Sequence, residues 1–69
     1  MRYEIRMHGY NEKGKYTLYP PLFETDDLSK AFTYLERIKT HEEDEPYYNY
    51  EEATLFDGGR WLVNMRLHR

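Results

Sequence analysis

The C-terminal segment RWLVNMRLHR alternates between apolar and polar positions. Its apolar positions are Trp61, Val63, Met65 and Leu67. The positions between them are Arg60, Leu62, Asn64, Arg66 and His68. Because successive side chains of a β-strand point to opposite faces of its sheet, this pattern predicts a half-buried strand. Trp61 is expected in the core, and the arginines are expected on the opposite face.

Residues 2–8 show the same alternation near the other end of the chain. Tyr3, Ile5 and Met7 occupy the apolar positions, and charged or polar residues, among them Arg6, occupy the positions between them. The segment therefore predicts a first half-buried strand.

A second strand is predicted around residues 15–19. Tyr16 and Leu18 would be its inward-facing side chains. Pro20 and Pro21 have no backbone N–H group, so they are expected to end the strand and to place it at an edge of the sheet.

A helix is predicted over residues 26–40. Its apolar positions recur at the spacing of one helix face, and they are Leu28, Ala31, Phe32, Leu35 and Ile38. Thr25 is the predicted N-cap, because its hydroxyl can accept a hydrogen bond from a free amide of the first turn.

The remaining residues predict a loop and a β-hairpin. Residues 41–46 contain a run of carboxylates and suit a solvated loop, and residues 47–56 suit a third strand. Gly58 and Gly59 suit the centre of a two-residue hairpin turn, because primed turns need positive φ.

This turn fixes a register for the last hairpin. The predicted cross-strand pairs are Asp57–Arg60, Phe56–Trp61, Leu55–Leu62, Thr54–Val63 and Glu51–Arg66. In this register Glu52 would share the inward face with Met65, which is unfavourable for a carboxylate. A β-bulge is therefore predicted near Glu51 and Glu52.

The predicted order of elements is strand, strand, helix, strand, strand. One helix covers one face of a four-stranded sheet, so we expect an α+β two-layer sandwich of ββαββ order with a mainly antiparallel sheet. Residues 1–69 are expected to form one small domain.

Charge is distributed unevenly along the chain, although the formal net charge is only −3. Residues 1–19 carry four Lys or Arg against two Glu, and residues 58–69 carry three Arg and no acidic residue. Residues 20–57 carry three basic residues against eleven acidic ones. The terminal strands are therefore basic and the flank between them is acidic, without the overall basic excess of a general nucleic-acid binder.

The cellular compartment is predicted from what the sequence lacks. It has no Cys, which fits a reducing environment. It has neither the apolar run of a signal peptide nor the roughly 20 apolar residues needed to cross a bilayer. We therefore expect a cytoplasmic protein without a membrane partner.

The sheet face away from the helix is the first candidate working surface. Its predicted contact residues are Arg6, Tyr19, Leu55, Leu62 and Arg66. Ordinary solvation explains many such faces, but Arg and Tyr are also enriched at protein interfaces. The alternative ligand is single-stranded nucleic acid, bound by arginines and stacked tyrosines. Because the acidic flank would repel a polyanion, a protein partner is favoured.

The acidic loop is a second candidate surface. Its carboxylates are Glu42, Glu43, Asp44 and Glu45, and tyrosines follow them. A solvated loop is the simpler interpretation, and a docking site for a basic partner is the functional one.

The residues offer little catalytic chemistry. There is no Cys nucleophile, no G-x-S-x-G motif and no phosphate-binding glycine loop. His8, His41 and His68 lack the spacing of metal ligands. We therefore expect no enzymatic activity, no cofactor and no metal site.

Together these features favour a non-enzymatic interaction module that binds a protein partner, with self-association as one form of that binding. A single-stranded nucleic-acid binder is the alternative. In general character, rather than in any motif, the chain resembles small accessory and regulatory proteins of bacteria and their phages.

Overall fold

The computed structural model describes residues 2–40 and 50–67. Its elements are β1 (Tyr3–Tyr10), β2 (Tyr16–Thr25), α1 (Leu28–Thr40), β3 (Glu52–Asp57) and β4 (Arg60–Arg66). The four strands form one antiparallel sheet in the order β2-β1-β3-β4. The predicted α+β fold of ββαββ order is confirmed.

The core lies between α1 and one face of the sheet, called here the helix-side face. Its buried residues are Tyr3, Ile5, Met7, Ala31, Leu35, Ile38, Ala53, Leu55 and Leu67. The inward positions predicted for β1 and for the helix stripe at Ala31, Leu35 and Ile38 are therefore correct. Leu28 and Phe32, predicted in the same stripe, are 37% and 42% exposed, so their inward assignment is wrong. The opposite side of the sheet, which α1 leaves uncovered, is called the open face.

The helix begins two residues later than predicted, because Asp27 rather than Thr25 is its N-cap. The Asp27 carboxylate accepts from the backbone N–H of Ser29 at 2.9 Å and of Lys30 at 3.3 Å. Its carbonyl accepts the first helical bond, from the Ala31 N–H. The Thr25 hydroxyl instead accepts from the Asp27 N–H and holds the turn before the helix.

Strand β2 continues through both prolines, so the predicted end at residue 19 is wrong. Its pairing with β1 shifts twice: Ile5 pairs with Phe23, Arg6 with Pro21, and His8 with Leu18. Each shift inserts an extra β2 residue. Because β2 is an edge strand, as predicted, its prolines can lie within it.

The first half of β2 faces the opposite way from the prediction, and exposed positions alternate with less exposed ones without a break from Tyr16 to Thr25. Opposed residues of an antiparallel pair share a face, and Tyr16 and Leu18 pair with Tyr10 and His8. Tyr16 and Leu18 are 46% and 45% exposed and lie on the open face, so the prediction that they face inward is wrong.

The hairpin turn forms as predicted, with Gly58 at φ 59° and Gly59 at φ 92°. The predicted register holds only as far as Phe56 opposite Trp61. Leu55 then pairs with Val63, which leaves Leu62 as the additional residue of a bulge. The bulge predicted near Glu51 and Glu52 therefore lies on the partner strand, close to the turn.

This bulge exchanges the predicted positions of Leu55 and Trp61. Leu55 is fully buried on the helix-side face and is not a surface residue. Trp61 shares the open face with Phe56 and is 60% exposed, so its predicted core position is also wrong.

Candidate functional site

A continuous row of rings crosses the open face from one edge strand to the other. The Phe56 and Trp61 centroids are 6.1 Å apart, and those of Trp61 and His8 are 5.7 Å apart. His8 stacks on Tyr16 at 5.9 Å, and Tyr16 meets Tyr10 edge-on at 5.1 Å. Each of the four strands contributes to this aromatic row.

Two rings of the aromatic row are buried and three are exposed. The relative solvent exposure of His8 is only 6%, and that of Phe56 is only 7%. Trp61, Tyr16 and Tyr10 remain largely in contact with solvent, and the half-exposed Leu18 lies on the same face. Aromatic and aliphatic surface is therefore held on a rigid sheet.

A chain of hydrogen bonds runs through the same face. The Thr54 hydroxyl donates to Asn64 Oδ1, so its remaining capacity is to accept from His8 Nε2 at 2.8 Å. This network assigns the proton of His8 to Nε2. Asn64 Nδ2 then donates to Glu52 Oε1 at 2.8 Å, and the Tyr16 hydroxyl donates to Glu52 Oε2.

The network perturbs the two groups at its acidic end. The hydrogen bonds from Tyr16 and then Asn64 lower the pKa of Glu52, so its carboxylate stays ionised to a lower pH than that of an ordinary glutamate. Removal of the Tyr16 hydroxyl from water, with the hydrogen bond to Glu52 and its charge, raises the pKa of Tyr16 to about 12. The pair is therefore a neutral phenol bound to a carboxylate.

Two arginines near this face are engaged by carboxylates. Arg6 Nε lies 3.2 Å from Glu4 Oε1 on the same strand. Arg2 binds Asp57 with two nitrogens, at 2.8 and 3.2 Å, which lowers the pKa of that carboxyl. Arg66 stands opposite Glu52 in the β3–β4 ladder.

The predicted contact residues are only partly brought together. Arg6 and Arg66 lie on the open face, and Leu62 is 46% exposed at the bulge beside Trp61. Tyr19 instead packs against Tyr50, at 5.3 Å between centroids, and Tyr50 contacts the helix-side core.

The other predicted contact residues fall elsewhere. Leu55 lies in the core. The acidic loop residues Glu42, Glu43, Asp44 and Glu45 lie outside the described residues.

Sequence reasoning missed two exposed rings and the hydrogen bonds beneath them. Trp61 and Tyr16 were assigned inward, and the bonds joining His8, Thr54 and Asn64 were not foreseen. One signal was available, namely the inward Glu52 of the predicted register, which indicated that the register had to shift somewhere.

A notch opens at the β2 end of the aromatic row. It has a volume of about 240 Å³ and is lined by Tyr10, Tyr16, Glu51, Glu52 and Arg66. Tyrosine side chains and carboxylates thus meet in one place.

Within residues 2–40 and 50–67, no cluster of three or more His, Cys, Asp or Glu side chains is arranged to hold a metal ion. In the same part of the chain, no helix has the length and apolar character that a membrane crossing requires. Comparisons of the chain with protein-family models, with curated proteins and with solved structures found no match.

Proposed function

We propose that this protein is a non-enzymatic interaction module whose open sheet face binds a protein partner. The observation that carries the proposal is the exposure of Trp61, at 60%, on the aromatic row. Trp and Tyr are the residues most enriched among the energetic centres of protein interfaces. A side chain of this size exposed on a rigid sheet provides such an anchor.

The polar groups of the open face support contact with protein. A partner must displace water from them, which is costly where it leaves a donor or acceptor unpaired. The side chains of His8, Thr54 and Asn64 are already bonded to one another or to Glu52. Among the described residues, no buried side-chain nitrogen or oxygen lacks a hydrogen-bond partner. The hydrogen-bonding groups of His8, Thr54 and Asn64 are therefore satisfied within the protein before a partner arrives.

The charges of the open face favour protein over nucleic acid. Nucleic-acid binding depends on basic side chains that can contact the phosphate backbone of the nucleic acid. Arg6 is instead bound to Glu4, and Arg66 stands opposite Glu52. The basic side chains are thus balanced by carboxylates on the same face.

Single-stranded nucleic acid remains the second candidate, because Tyr10, Tyr16 and Trp61 offer exposed rings on which bases can stack. The test is affinity for a generic oligonucleotide across a range of salt concentrations. A steep fall in affinity with salt, lost on replacing Arg6 and Arg66 with Ala, would support nucleic-acid binding. No binding at low salt would eliminate it.

Site-specific photo-crosslinking in extracts of the native host tests the main proposal. A photoreactive phenylalanine at Leu18 or Leu62 is expected to crosslink a defined protein, which includes a second copy of this chain. The same group at Lys39, in the last turn of α1, serves as the control. Trp61→Ala should abolish the open-face crosslinks. Crosslinks from Lys39 alone, or crosslinks unaffected by Trp61→Ala, would contradict the proposal.

A further inference from the structure

The notch at the end of the aromatic row has the chemistry of a site for a single cationic side chain. At about 240 Å³ it is smaller than the roughly 300–1,000 Å³ of pockets for drug-sized ligands. We infer that it receives a lysine or arginine side chain of the protein partner. The inference rests on the proposed function and specifies which partner chemistry the open face accepts.

Two of the five side chains that line the notch are tyrosines, whose rings suit a cation. Tyr10 and Tyr16 meet edge-on at 5.1 Å, and Tyr10 is 62% exposed. The face of an aromatic ring carries negative potential and attracts ammonium or guanidinium groups within about 6 Å. The methylenes of a lysine or arginine can pack on the same rings.

The charges of the notch favour a cation over an anion. Glu51 and Glu52 line it together with one arginine, Arg66. The hydrogen bonds that Glu52 accepts from Tyr16 and Asn64 hold it in the ionised form. A carboxylate or phosphate bound at Arg66 would face two carboxylates at close range, whereas a cation would face only one like charge.

Removing Arg66 should change the affinity of the notch in opposite directions for a cation and for an anion. It is the cross-strand partner of Glu52, and its charge acts on that carboxylate. An incoming cation therefore competes with Arg66 for the same negative potential. Removing this arginine should strengthen binding of a cation, whereas it would abolish binding of an anion.

The experiment uses the full chain and three small probes, followed by backbone amide NMR shifts. The probes are N-acetyl-lysine amide, N-acetyl-arginine amide and the neutral N-acetyl-norleucine amide. The two cations should shift the amides of Tyr10, Tyr16 and Glu52 at concentrations roughly threefold to tenfold lower than norleucine requires. Arg66→Gln should lower the cation concentration that is needed roughly twofold or more.

Two variants should weaken cation binding. Glu52→Gln removes the negative charge of one carboxylate that lines the notch. Tyr10→Leu removes one aromatic ring from the notch and leaves the hydrogen-bond network intact. The second variant therefore separates loss of binding from loss of folding. Glu24→Gln is the matched control, because it makes the same change of charge on β2 opposite Glu4. Equal shifts from cations and norleucine, no shifts at the highest soluble concentration, or weaker cation binding in Arg66→Gln would overturn the inference.

These results are separable from the test of the proposed function. If crosslinking depends on Trp61 but the probes show no preference for cations, the protein-binding face stands and the notch assignment fails. If the cations bind but crosslinking does not depend on Trp61, the notch stands and the proposed function fails.

Discussion

The indole of Trp61 packs edge-on against the imidazole of His8, with 5.7 Å between ring centroids, although the two residues belong to strands that are not neighbours. The contact crosses β3 on the open face, so the indole lies over the sheet instead of beneath the helix. The contact forms because Leu62, the extra residue of the bulge, places Trp61 and Val63 on opposite faces of the sheet. The sole tryptophan therefore reports on the candidate binding face.

The fluorescence of Trp61 should show its exposure directly. Because 60% of the residue is in contact with solvent, its emission should be strongly quenched by acrylamide in the native protein. Unfolding in denaturant should increase that quenching only modestly. Native emission that resists acrylamide and becomes accessible only on unfolding would place Trp61 in the core and refute the assignment.

Leu55 and Leu62 offer a matched pair of substitutions in the same hairpin. Leu55→Ala should reduce the free energy of unfolding by about 2–5 kcal/mol, because Leu55 is fully buried. Leu62→Ala should cost less than about 1 kcal/mol, because Leu62 is 46% exposed. Chemical denaturation measures both values. Equal costs would indicate the unbulged register, in which the two leucines face each other.

Tyr16 should titrate later than an ordinary tyrosine. Its pKa is raised to about 12 in the folded protein, above the ordinary value of 10.0. The stabilisation from its protonated hydroxyl is therefore fully present below pH 10 and is lost as the pH rises through about 12. Tyrosinate absorbance in the ultraviolet should show one late-titrating group that disappears in Tyr16→Phe. If the absorbance lost in that variant titrates near pH 10 instead, the hydrogen bond to Glu52 does not form.

Glu52 should contribute to stability on the acid side. Its folded-state pKa is lowered from 4.5, so its contribution is present above that pH and is lost as the pH falls through the folded-state value. Thermal melts of Glu52→Gln should lose this part of the acid dependence, and Glu24→Gln should retain it. A wild-type acid profile in the Glu52 variant would argue against the network.

The sequence pattern predicted the elements whose structure depends on residues close together in the chain. Ala31, Leu35 and Ile38 of the α1 stripe are buried against the sheet, although Leu28 and Phe32 are exposed. The alternation of Tyr3, Ile5 and Met7 likewise reflects burial against one surface, so most of the helix-side core could be predicted from the sequence. The positive φ values of Gly58 and Gly59 likewise follow from residue type.

The candidate site could not be predicted in the same way, because it depends on a bulge in β4 and on the full length of β2. One extra residue reverses the facing of every side chain beyond it, and no residue type marks the position with certainty. The bulge at Leu62 placed Trp61 on the open face. Tyr16 faces outward because it alternates with Phe23 and Thr25, which face the helix on the same strand, and a strand predicted to end at residue 19 does not include those two positions. Alternation alone therefore assigned Tyr16 and Trp61, which lie on the open face, to the helix-side face.

The prolines of β2 have a consequence for assembly. Pro20 and Pro21 cannot donate to an incoming strand, and the register shifts beside them bend the same edge. The other outer strand, β4, contains no proline but carries the bulge at Leu62. Both outer strands of the described sheet are therefore irregular, which opposes edge-to-edge pairing into a fibril.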